Sequence, residues 1–358
     1  MKFYTATALA LSSAALTNAS TCKPNPNGNG DLKHWPKAAA ATLNAMIKAN
    51  AHKGNYACFD MDNTSWRWDI EESLIPYLDN KGVLTRELLD PILKPIPFND
   101  TATQKESLYS YYNRLCDIDD DVCYPWAAQV FSGIPLKQLK VYVDELMALN
   151  TTIPTTYFEA GVLTKTNINP PIVFRGQAEL YNTLMKNGIE VYVVTASSED
   201  VVRMVAADPK YGYNAKPDNV IGINNLLKNK ATGAFTFPRK DIIAGTFNKT
   251  DYSNYEITPY MMAPGTWKEG KWAAIQQYIN MWKKPILVAG DTPSSDGPML
   301  FHGVDVRRGG VHLWVNRKDK YMKQLEGMMH DYAAAQRAED LEVTADKNWV
   351  IVKPEDIL

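Results

Sequence analysis

Two carboxylates one residue apart could do acid and nucleophile chemistry in this chain. Asp60 and Asp62 directly follow the apolar run Tyr56–Phe59, and at this spacing both side chains can point into one cleft. Two acids held close together resist being ionised at the same time, so one can stay protonated near neutral pH while the other is an anionic nucleophile or a metal ligand. The alternative is an acidic loop that only caps a helix.

Hydroxyl and ammonium groups elsewhere could bind an anion beside these acids. Thr195 and Ser197 follow the β-rich run Ile189–Val194. A hydroxyl with backbone N–H groups at a helix start is an anion-binding arrangement, although Ser or Thr there can also be a simple N-cap. Lys268 and Lys271 begin an amphipathic helix, and either could neutralise an acidic cluster, although a lysine at a helix start is more often only solvated.

A second group of carboxylates leaves another apolar run. Asp291 and Asp296 follow the run Ile286–Ala289, in a turn that contains Gly and Pro. An Asp at that position would complete an oxygen-rich site with Asp60, and Mg²⁺ prefers a few carboxylates together with several waters. The sequence therefore predicts a magnesium site where the two runs end.

These residues can meet only if one scaffold brings the ends of the apolar runs together. Strand-like runs alternate with helical patterns, which predicts an α/β fold: a Rossmann-like parallel sheet covered by helices on both faces. The predicted strands are Tyr56–Phe59, Ile189–Val194, Ile286–Ala289 and Val311–Val315, and the predicted helices are Trp35–Asn50, Phe174–Lys186 and Trp267–Trp282. Such sheets bind ligands at the carboxyl ends of their strands, where the candidate acids lie.

A long insertion separates the first predicted strand from the helix that precedes the second. It has about a hundred residues, far more than a crossover connection needs. Residues 67–169 are therefore predicted to form a mainly helical cap on a core of residues 20–66 and 170–358. Helical spacing in the insertion covers Glu72–Leu78, Leu84–Leu93, Lys105–Leu115 and Leu136–Leu149, and two short strands, Val220–Ile223 and Ala234–Phe237, are predicted between residues 207 and 262.

The composition is that of an ordinary soluble globular protein. The chain has 358 residues, of which 45% are hydrophobic and 22% charged, enough for a large core and too apolar for global disorder. Its 38 basic and 40 acidic residues give a net charge of −2, without the basic excess of a nucleic-acid-binding protein. The length allows two domains or one domain with an insertion, and the oligomeric state is left open.

The amino terminus predicts export. Residues 1–19 combine Lys2, an apolar stretch rich in Ala and Leu, and a small-residue end at Ala19, which is typical of a secretory signal peptide. The alternative is a membrane anchor, but the apolar run is shorter than the roughly 20 residues that span a bilayer. We therefore expect a secreted or periplasmic protein without a membrane span.

Export would place the four cysteines in an oxidising compartment, where they could form disulfides. Four cysteines allow three pairings, and we favour Cys116 with Cys123 and Cys22 with Cys58. The alternative for Cys58 is a small buried residue of the first strand.

In their order along the chain, the chemical motifs resemble the four motifs of the haloacid dehalogenase superfamily. They are Asp-x-Asp-x-Thr at residues 60–64, a strand ending in Thr or Ser, a lysine about 20 residues before Gly-Asp, and Gly-Asp-x-x-x-x-Asp at residues 290–296. The resemblance covers residues 35–66 and 170–316, and the cap lies where the superfamily inserts its first type of cap. The second Asp of the first motif points to the phosphatase branch.

The resemblance implies roles for the acids. Asp60 would attack phosphorus to form an aspartyl-phosphate, and Asp62 would protonate the leaving group and then activate water. Mg²⁺, or a related divalent cation, would be held by Asp60, the main-chain carbonyl of Asp62 and Asp291. Asp296 would orient the water shell of the metal.

The resemblance also implies which groups hold the phosphoryl oxygens of a small phosphate monoester. Thr195 and Lys271 would do so. Between the two lysines, the distance of Lys271 from Asp291 along the chain suits the superfamily better, and Lys268 is the alternative. Ser197 is the alternative to Thr195.

The leaving group should be recognised by the cap and by residues near the first motif. Trp66, Trp68, Glu71 and Glu72 lie there, and the cap carries the cluster Tyr109–Tyr112. A quaternary ammonium group cannot donate hydrogen bonds and is held by aromatic rings and anions, so these residues suit phosphorylcholine. The alternatives are that the Glu pair only favours a helix amino terminus and that the tyrosines only pack.

The same residues are similar to those of the secreted bacterial phosphorylcholine phosphatases, in which a Glu pair and a run of three tyrosines bind choline. Here Glu71 and Glu72 follow the first Asp of the motif by eleven and twelve residues. The tyrosines that match are Tyr111 and Tyr112; Ser110 breaks the run, Asn113 ends it, and Tyr109 on the adjacent turn is a further candidate.

Two other functions are compatible with the sequence. A capped phosphatase of the same superfamily could act on phosphoserine, phosphoethanolamine or a broad range of esters, and Arg114 could bind the carboxylate of phosphoserine. A secreted choline-binding protein without turnover is the second alternative, and the intact pair of Asp60 and Asp62 argues against it.

Overall fold

A computed structural model describes residues 32–159, 161–247 and 252–358 of the chain. The strands are β1 (Tyr56–Phe59), β2 (Trp66–Arg67), β3 (Ile153–Glu159), β4 (Val162–Ile168), β5 (Ile172–Val173), β6 (Glu190–Ser198), β7 (Val220–Ile223), β8 (Asn225–Asn229), β9 (Phe235–Thr236), β10 (Tyr255–Met261), β11 (Leu287–Gly290), β12 (Val311–Val315) and β13 (Trp349–Val352). The helices are α1 (Lys37–Asn50), α2 (Ile70–Asn80), α3 (Leu108–Ile118), α4 (Asp120–Gln129), α5 (Leu136–Met147), α6 (Arg175–Lys186), α7 (Glu199–Ala206), α8 (Pro238–Ile243), α9 (Glu269–Ala274), α10 (Pro293–Gly303) and α11 (Asp319–Ala338). The predicted signal peptide, residues 1–19, and Cys22 lie outside the described residues.

Six parallel strands form the central sheet, in the order β13-β12-β11-β1-β6-β7. β1 lies between β11 and β6, and Ala57 is paired with Leu287 on one side and with Val191 on the other. Every residue of β1, β7, β11 and β12 is buried, as expected for parallel strands that are covered on both faces. The predicted Rossmann-like α/β core is confirmed, and the carboxyl ends of β1, β6 and β11 lie side by side.

The residues of β1 alternate between two hydrophobic clusters. Ala57 and Phe59 pack into the larger cluster, whereas Tyr56 and Cys58 pack into the other, because successive side chains of a strand point to opposite faces of the sheet. Cys58 is fully buried there. Its pairing with Cys22 stays a prediction.

Residues 67–169, which we call the cap segment, contain α2 to α5 and an antiparallel hairpin of β3 and β4. The predicted disulfide between Cys116 and Cys123 is present and joins α3 to α4. The helix predicted over Leu84–Leu93 is wrong, since only a short 3₁₀ turn that begins at Pro91 forms there. Pro91 would lie inside that helix, where it would remove a hydrogen bond and clash with the preceding turn.

Several elements were not predicted from periodicity. In the cap segment these are α4 and the β3–β4 hairpin, and toward the carboxyl end they include α10, α11 and β13. The helix predicted over Trp267–Trp282 is shorter in the structure. It is α-helical from Glu269 to Ala274 (α9), and a π-helical turn, Ile275–Ile279, follows directly. No helix among the described residues is both long enough and apolar enough to cross a membrane. The division into core and cap stays a prediction.

Candidate active site

A cavity of about 230 Å³ opens at the carboxyl ends of β1, β6 and β11. The core contributes polar residues that include Asp60, Asp62, Thr195, Ser197, Lys271, Asp291, Asp296, Arg317, Lys318 and Tyr321. The start of α2 and the helices α3 and α4 contribute Asp69, Glu71, Glu72, Tyr112, Tyr124 and Ala127. The structure therefore brings most of the site residues proposed from the sequence to one place.

A tight turn after β1 directs both acids of the first motif into the cavity. Asn63 has a left-handed backbone conformation (φ 58°), which Asn tolerates better than most residues, and its side chain accepts a hydrogen bond from the N–H of Trp68 at 3.1 Å. Oδ1 of Asp62 accepts hydrogen bonds from the indole N–H of Trp66 at 2.7 Å and from the N–H of Ile70 at 2.9 Å. The turn and these bonds fix the direction of the Asp62 carboxyl.

Lys271 is buried between two carboxylates. Its Nζ donates to Asp60 at 2.5 Å and to Asp296 at 2.6 Å. Burial alone would lower the pKa of Lys271, but the charges of Asp296 and Asp60 outweigh burial and raise the pKa above its ordinary value. Lys268, the alternative considered from the sequence, instead contacts Asp121 in the cap segment at 2.9 Å.

Asp296 stabilises the turn that follows β11. Its Oδ2 accepts hydrogen bonds from the N–H groups of Asp291 and Thr292, both at 2.9 Å. A larger residue at Gly290 would not fit, because a Cβ atom there would lie 2.6 Å from the Cβ of Asp296. The close approach of Asp296 to the strand end therefore explains the glycine before Asp291.

Three buried acids could hold a metal ion. Carboxylate oxygens of Asp60, Asp291 and Asp296 lie within 4.8 Å of one another. Thr64 links two of them, since its hydroxyl contacts Asp60 at 3.2 Å and Asp291 at 3.0 Å. An all-oxygen donor set of this kind fits a hard divalent cation such as Mg²⁺. Arg317, which forms an ion pair with Asp291, was not predicted, although its place two residues after β12 is another strand end.

A second group of acids lies where the first motif of the core meets the start of α2. Asp62, Asp69 and Glu71 offer carboxylate oxygens within 4.8 Å of one another. Burial and the charge of Asp69 raise the pKa of Asp62 to about 8, and burial and the charge of Glu72 raise the pKa of Asp69 to about 8. Burial and the charge of Asp62 likewise raise the pKa of Glu71. Each of these carboxyls makes ionisation of the others less favourable. A cationic ligand would reduce this repulsion.

The end of β6 connects the first motif to α2. The hydroxyl of Ser197 donates to Asp62, and the hydroxyl oxygen of Thr195 accepts the N–H of Ser197 at 3.2 Å. The next residue, Ser198, donates its N–H to Glu71 at 2.9 Å. Thr195 and Ser197 both line the cavity, so either hydroxyl can meet a ligand, and Glu71 is tied to the core.

Part of the cation-binding set proposed from the sequence lies at the cavity. Glu71, Glu72 and Tyr112 line it, next to Asp69. Tyr109 lies near enough to Glu72 for that charge to add to burial in raising the pKa of the tyrosine, but Tyr109 is not part of the described lining. Two glutamates and one tyrosine of the proposed set therefore line the cavity.

Tyr111 points away from the cavity, contrary to its assignment as a cation ligand. Its hydroxyl donates to the carbonyl oxygen of Ile96 at 2.8 Å, and its ring stacks on Phe98 with the ring centroids 4.3 Å apart. Adjacent residues of a helix face different directions, so Tyr111 packs inside the cap segment while its neighbour reaches the cavity. Tyr124 and Tyr321 line the cavity as well, and periodicity did not indicate either.

Comparisons with known proteins identify the fold and the family of the chain. No family model matches the chain. Among solved structures, a functionally unknown protein from Anaerococcus prevotii has a TM-score of 0.56, covers 83% of this chain and 90% of its own, and is 18% identical, so it supports the fold alone. A phosphorylcholine phosphatase from Pseudomonas aeruginosa is 62% identical over 327 residues, which cover 91% of this chain and 93% of that protein. The chain therefore belongs to the phosphorylcholine phosphatase family and is a phosphoric monoester hydrolase.

Proposed function

We propose that this protein hydrolyses phosphorylcholine to choline and inorganic phosphate. One observation carries the proposal: a single cavity joins the buried cluster of Asp60, Lys271 and Asp296 to a wall of carboxylates and tyrosine rings that suits a cation. The similar protein from Pseudomonas aeruginosa is a phosphorylcholine phosphatase, which supports the same substrate here.

Asp60 is the nucleophile in this proposal. Its carboxylate attacks phosphorus in line with the ester oxygen, so that a bond from Asp60 to phosphorus forms while the bond to the choline oxygen breaks. Burial and the charge of Asp296 raise the pKa of Asp60, and Lys271 opposes them by favouring the carboxylate. The products of this step are choline and an aspartyl-phosphate.

Asp62 moves the proton. It donates a proton to the departing choline oxygen and later accepts one from the water that attacks phosphorus and frees Asp60. Trp66, Ile70 and Ser197 donate hydrogen bonds to the two carboxyl oxygens of Asp62. These bonds hold the carboxyl in one orientation, which both transfers require.

The phosphate end of the substrate needs positive charge. Acidic residues outnumber basic ones in the cavity lining, and the substrate adds a phosphate. A divalent cation such as Mg²⁺, held by Asp60 and Asp291 with Asp296 orienting its waters, would neutralise charge on the phosphoryl oxygens. In this proposal Thr195 and Lys271, which line the cavity, bind the remaining phosphoryl oxygens.

The cap side of the cavity favours choline over competing leaving groups. Asp69 and Glu72 supply carboxyl groups whose ionised form a bound cation favours, and Tyr112 supplies a ring, which suits a trimethylammonium group that cannot donate hydrogen bonds. Arg114, the candidate for binding phosphoserine, instead forms an ion pair with Glu106 at 2.7 Å and is not part of the described lining. A carboxylate against this wall would face like charges.

The test is phosphate release by the purified protein from phosphorylcholine, phosphoethanolamine, phosphoserine and p-nitrophenyl phosphate, with and without EDTA. We expect kcat/KM for phosphorylcholine to exceed that for phosphoserine by about tenfold or more. EDTA should abolish release, and added Mg²⁺ should restore it. Equal kcat/KM values would refute cation selection, and choline binding without any turnover would favour the non-catalytic alternative.

We also propose that residues 1–19 are removed during export and that residues 67–169 cover the site as a cap. The disulfide between Cys116 and Cys123 supports an oxidising compartment. The intact mass of protein recovered from periplasm or medium should correspond to a chain that begins near Ser20. A full-length mass would contradict removal of the segment.

A further inference from the structure

We propose that Tyr124, on α4, completes the cation-binding wall of the cavity and sets the preference for a quaternary ammonium group. The inference rests on the proposed function and concerns the same cavity. Tyr124 belongs neither to the glutamate pair nor to the tyrosine cluster that the sequence indicated. Tyr124 was not proposed as a site residue because the sequence did not indicate the helix α4 that carries it.

A cationic ligand needs ring faces that no cation of the protein already covers. The tyrosines in the described lining are Tyr112, Tyr124 and Tyr321. The Cζ of Arg317 lies 4.8 Å from the ring centroid of Tyr321, and the Nζ of Lys318 lies 5.3 Å from it. A substrate cation at that ring would be repelled, so Tyr112 and Tyr124 provide the available rings.

One face of α4 is turned toward the cavity. Tyr124 and Ala127 both line it, and residues three positions apart are neighbours on a helix surface. The side chain of Ala127 is a single methyl group, which leaves space beside the ring of Tyr124. A methylated ammonium group can lie in that space.

The surroundings of Tyr124 are acidic. Burial raises the pKa of Tyr124, and the charges of Asp120, Asp69 and Asp296 raise it further. The phenol therefore stays neutral at physiological pH, and its ring attracts a cation without adding a charge that needs its own partner. Asp69 also contributes to the raised pKa of Tyr112, so the two rings share one neighbouring carboxylate.

A disulfide joins the two ring-bearing helices, and hydrogen bonds join α4 to the core. The disulfide joins Cys123, the residue before Tyr124, to Cys116, which lies one turn after Tyr112 on α3. At the start of α4, Asp121 accepts hydrogen bonds from two core side chains at 2.7 and 2.9 Å. Rings that are held in place before binding lose little freedom when the ligand arrives, which strengthens binding.

The test compares phosphorylcholine with 3,3-dimethylbutyl phosphate, a neutral analogue in which carbon replaces the nitrogen. The wild-type protein should prefer the cationic ester by about tenfold in kcat/KM. Tyr124→Leu should lose most of this preference, and Tyr124→Phe should keep it within about twofold because the ring remains. Tyr321→Leu is the matched control, and it should change both substrates alike.

Several results would overturn the inference. They are an unchanged preference in Tyr124→Leu, an equal loss on both substrates, or a loss of preference in Tyr321→Leu. Failure of the wild-type protein to hydrolyse phosphorylcholine would instead overturn the proposed function.

A second series covers the case in which Tyr124→Leu does not fold, as judged by circular dichroism. Phenylalanines with one, two and three ring fluorines are incorporated at position 124, which weakens the negative face of the ring with little change in shape. We expect kcat/KM for phosphorylcholine to fall stepwise while the neutral analogue is unaffected. The absence of such a trend would also overturn the inference.

Discussion

The core side and the cap side of the cavity hold their functional groups by different means. On the core side, Asp60, Thr195 and Asp291 lie at the carboxyl ends of adjacent parallel strands, whose spacing of about 4.8 Å is set by backbone hydrogen bonds. On the cap side, Glu72 and Tyr112 project from different helices, whose positions depend on side-chain packing and a disulfide. The core side therefore suits chemistry that needs tight geometry, and the cap side suits selection of the leaving group.

The two sides also differ in charge balance. On the core side, Lys271 pairs with Asp60 and Arg317 pairs with Asp291. On the cap side, burial and the charge of Glu72 raise the pKa of Asp69 to about 8. A cationic leaving group would stabilise the ionised forms of Asp69 and Glu72. If this division is correct, variants on the two sides should separate turnover from selectivity.

The largest effect is expected for Asp60→Asn on the core side. Without the nucleophile, kcat should fall by about 10⁴-fold or more for every phosphate ester. Phosphate release measures the loss, and calorimetric titration with choline should give an affinity within about threefold of the wild type, since the cation wall is untouched. Turnover near the wild-type rate would show that another group attacks phosphorus, and lost choline binding would show that the two sides are not separable.

Asp62→Asn, also on the core side, should slow esters with poor leaving groups more than esters with good ones. Phosphorylcholine turnover should fall by roughly 10²–10⁴-fold, because in the proposed mechanism the choline oxygen leaves with a proton from Asp62. p-Nitrophenolate is a good leaving group that needs little protonation, so stopped-flow absorbance should show a rapid burst followed by slow turnover. The absence of a burst, with equal losses on both esters, would contradict the role of Asp62 as the acid.

Glu72→Gln should affect selection and spare the chemistry. Loss of the charge should raise KM for phosphorylcholine about tenfold, equivalent to about 1.4 kcal/mol. The value of kcat/KM for p-nitrophenyl phosphate should stay within about twofold. Glu145→Gln is a matched control, since Glu145 is a surface carboxylate of the cap segment that pairs with Lys81 at 2.8 Å. An equal effect of Glu72→Gln on both esters would mean that Glu72 supports the phosphate end as well.

The smallest effect on activity is expected for Tyr111→Phe. The lost hydroxyl forms hydrogen bonds only with the backbone of Ile96 inside the cap segment, among the bonds described. We therefore expect kcat and KM to be unchanged. The free energy of unfolding should fall by about 1 kcal/mol, measured by denaturant titration. A selective rise in KM for phosphorylcholine would instead place Tyr111 at the ligand.

The core side could be predicted from the sequence because its cues are local. Asp60, Asp62 and Asp291 each follow a short apolar run, and an apolar run of that length is typical of a buried parallel strand. The position of the candidate site then follows from the rule that such sheets bind ligands at the carboxyl ends of their strands. Arg317 obeys the same rule, since it lies two residues after β12, but it was not predicted because it belongs to none of the four motifs.

The cap side could be predicted only in part. Within α4, Pro125 lies in the helix and the apolar residues form no clear stripe, so periodicity did not indicate a helix there. Tyr124 could not be proposed as a site residue for that reason. In contrast, α2 begins with an N-cap at Asp69 and two glutamates, which are local helix cues.

The amino-acid sequence by itself determined the order of the motifs and the strands that carry them, and it indicated Asp60 as the candidate nucleophile. Only the tertiary structure decided that Tyr112 and Tyr124 line the cavity while Tyr111 packs on Phe98. The physical reason is that a strand end is defined by residues adjacent in the chain. Which side chains of a helix reach the cavity is decided only when helices that are distant in the sequence pack against one another.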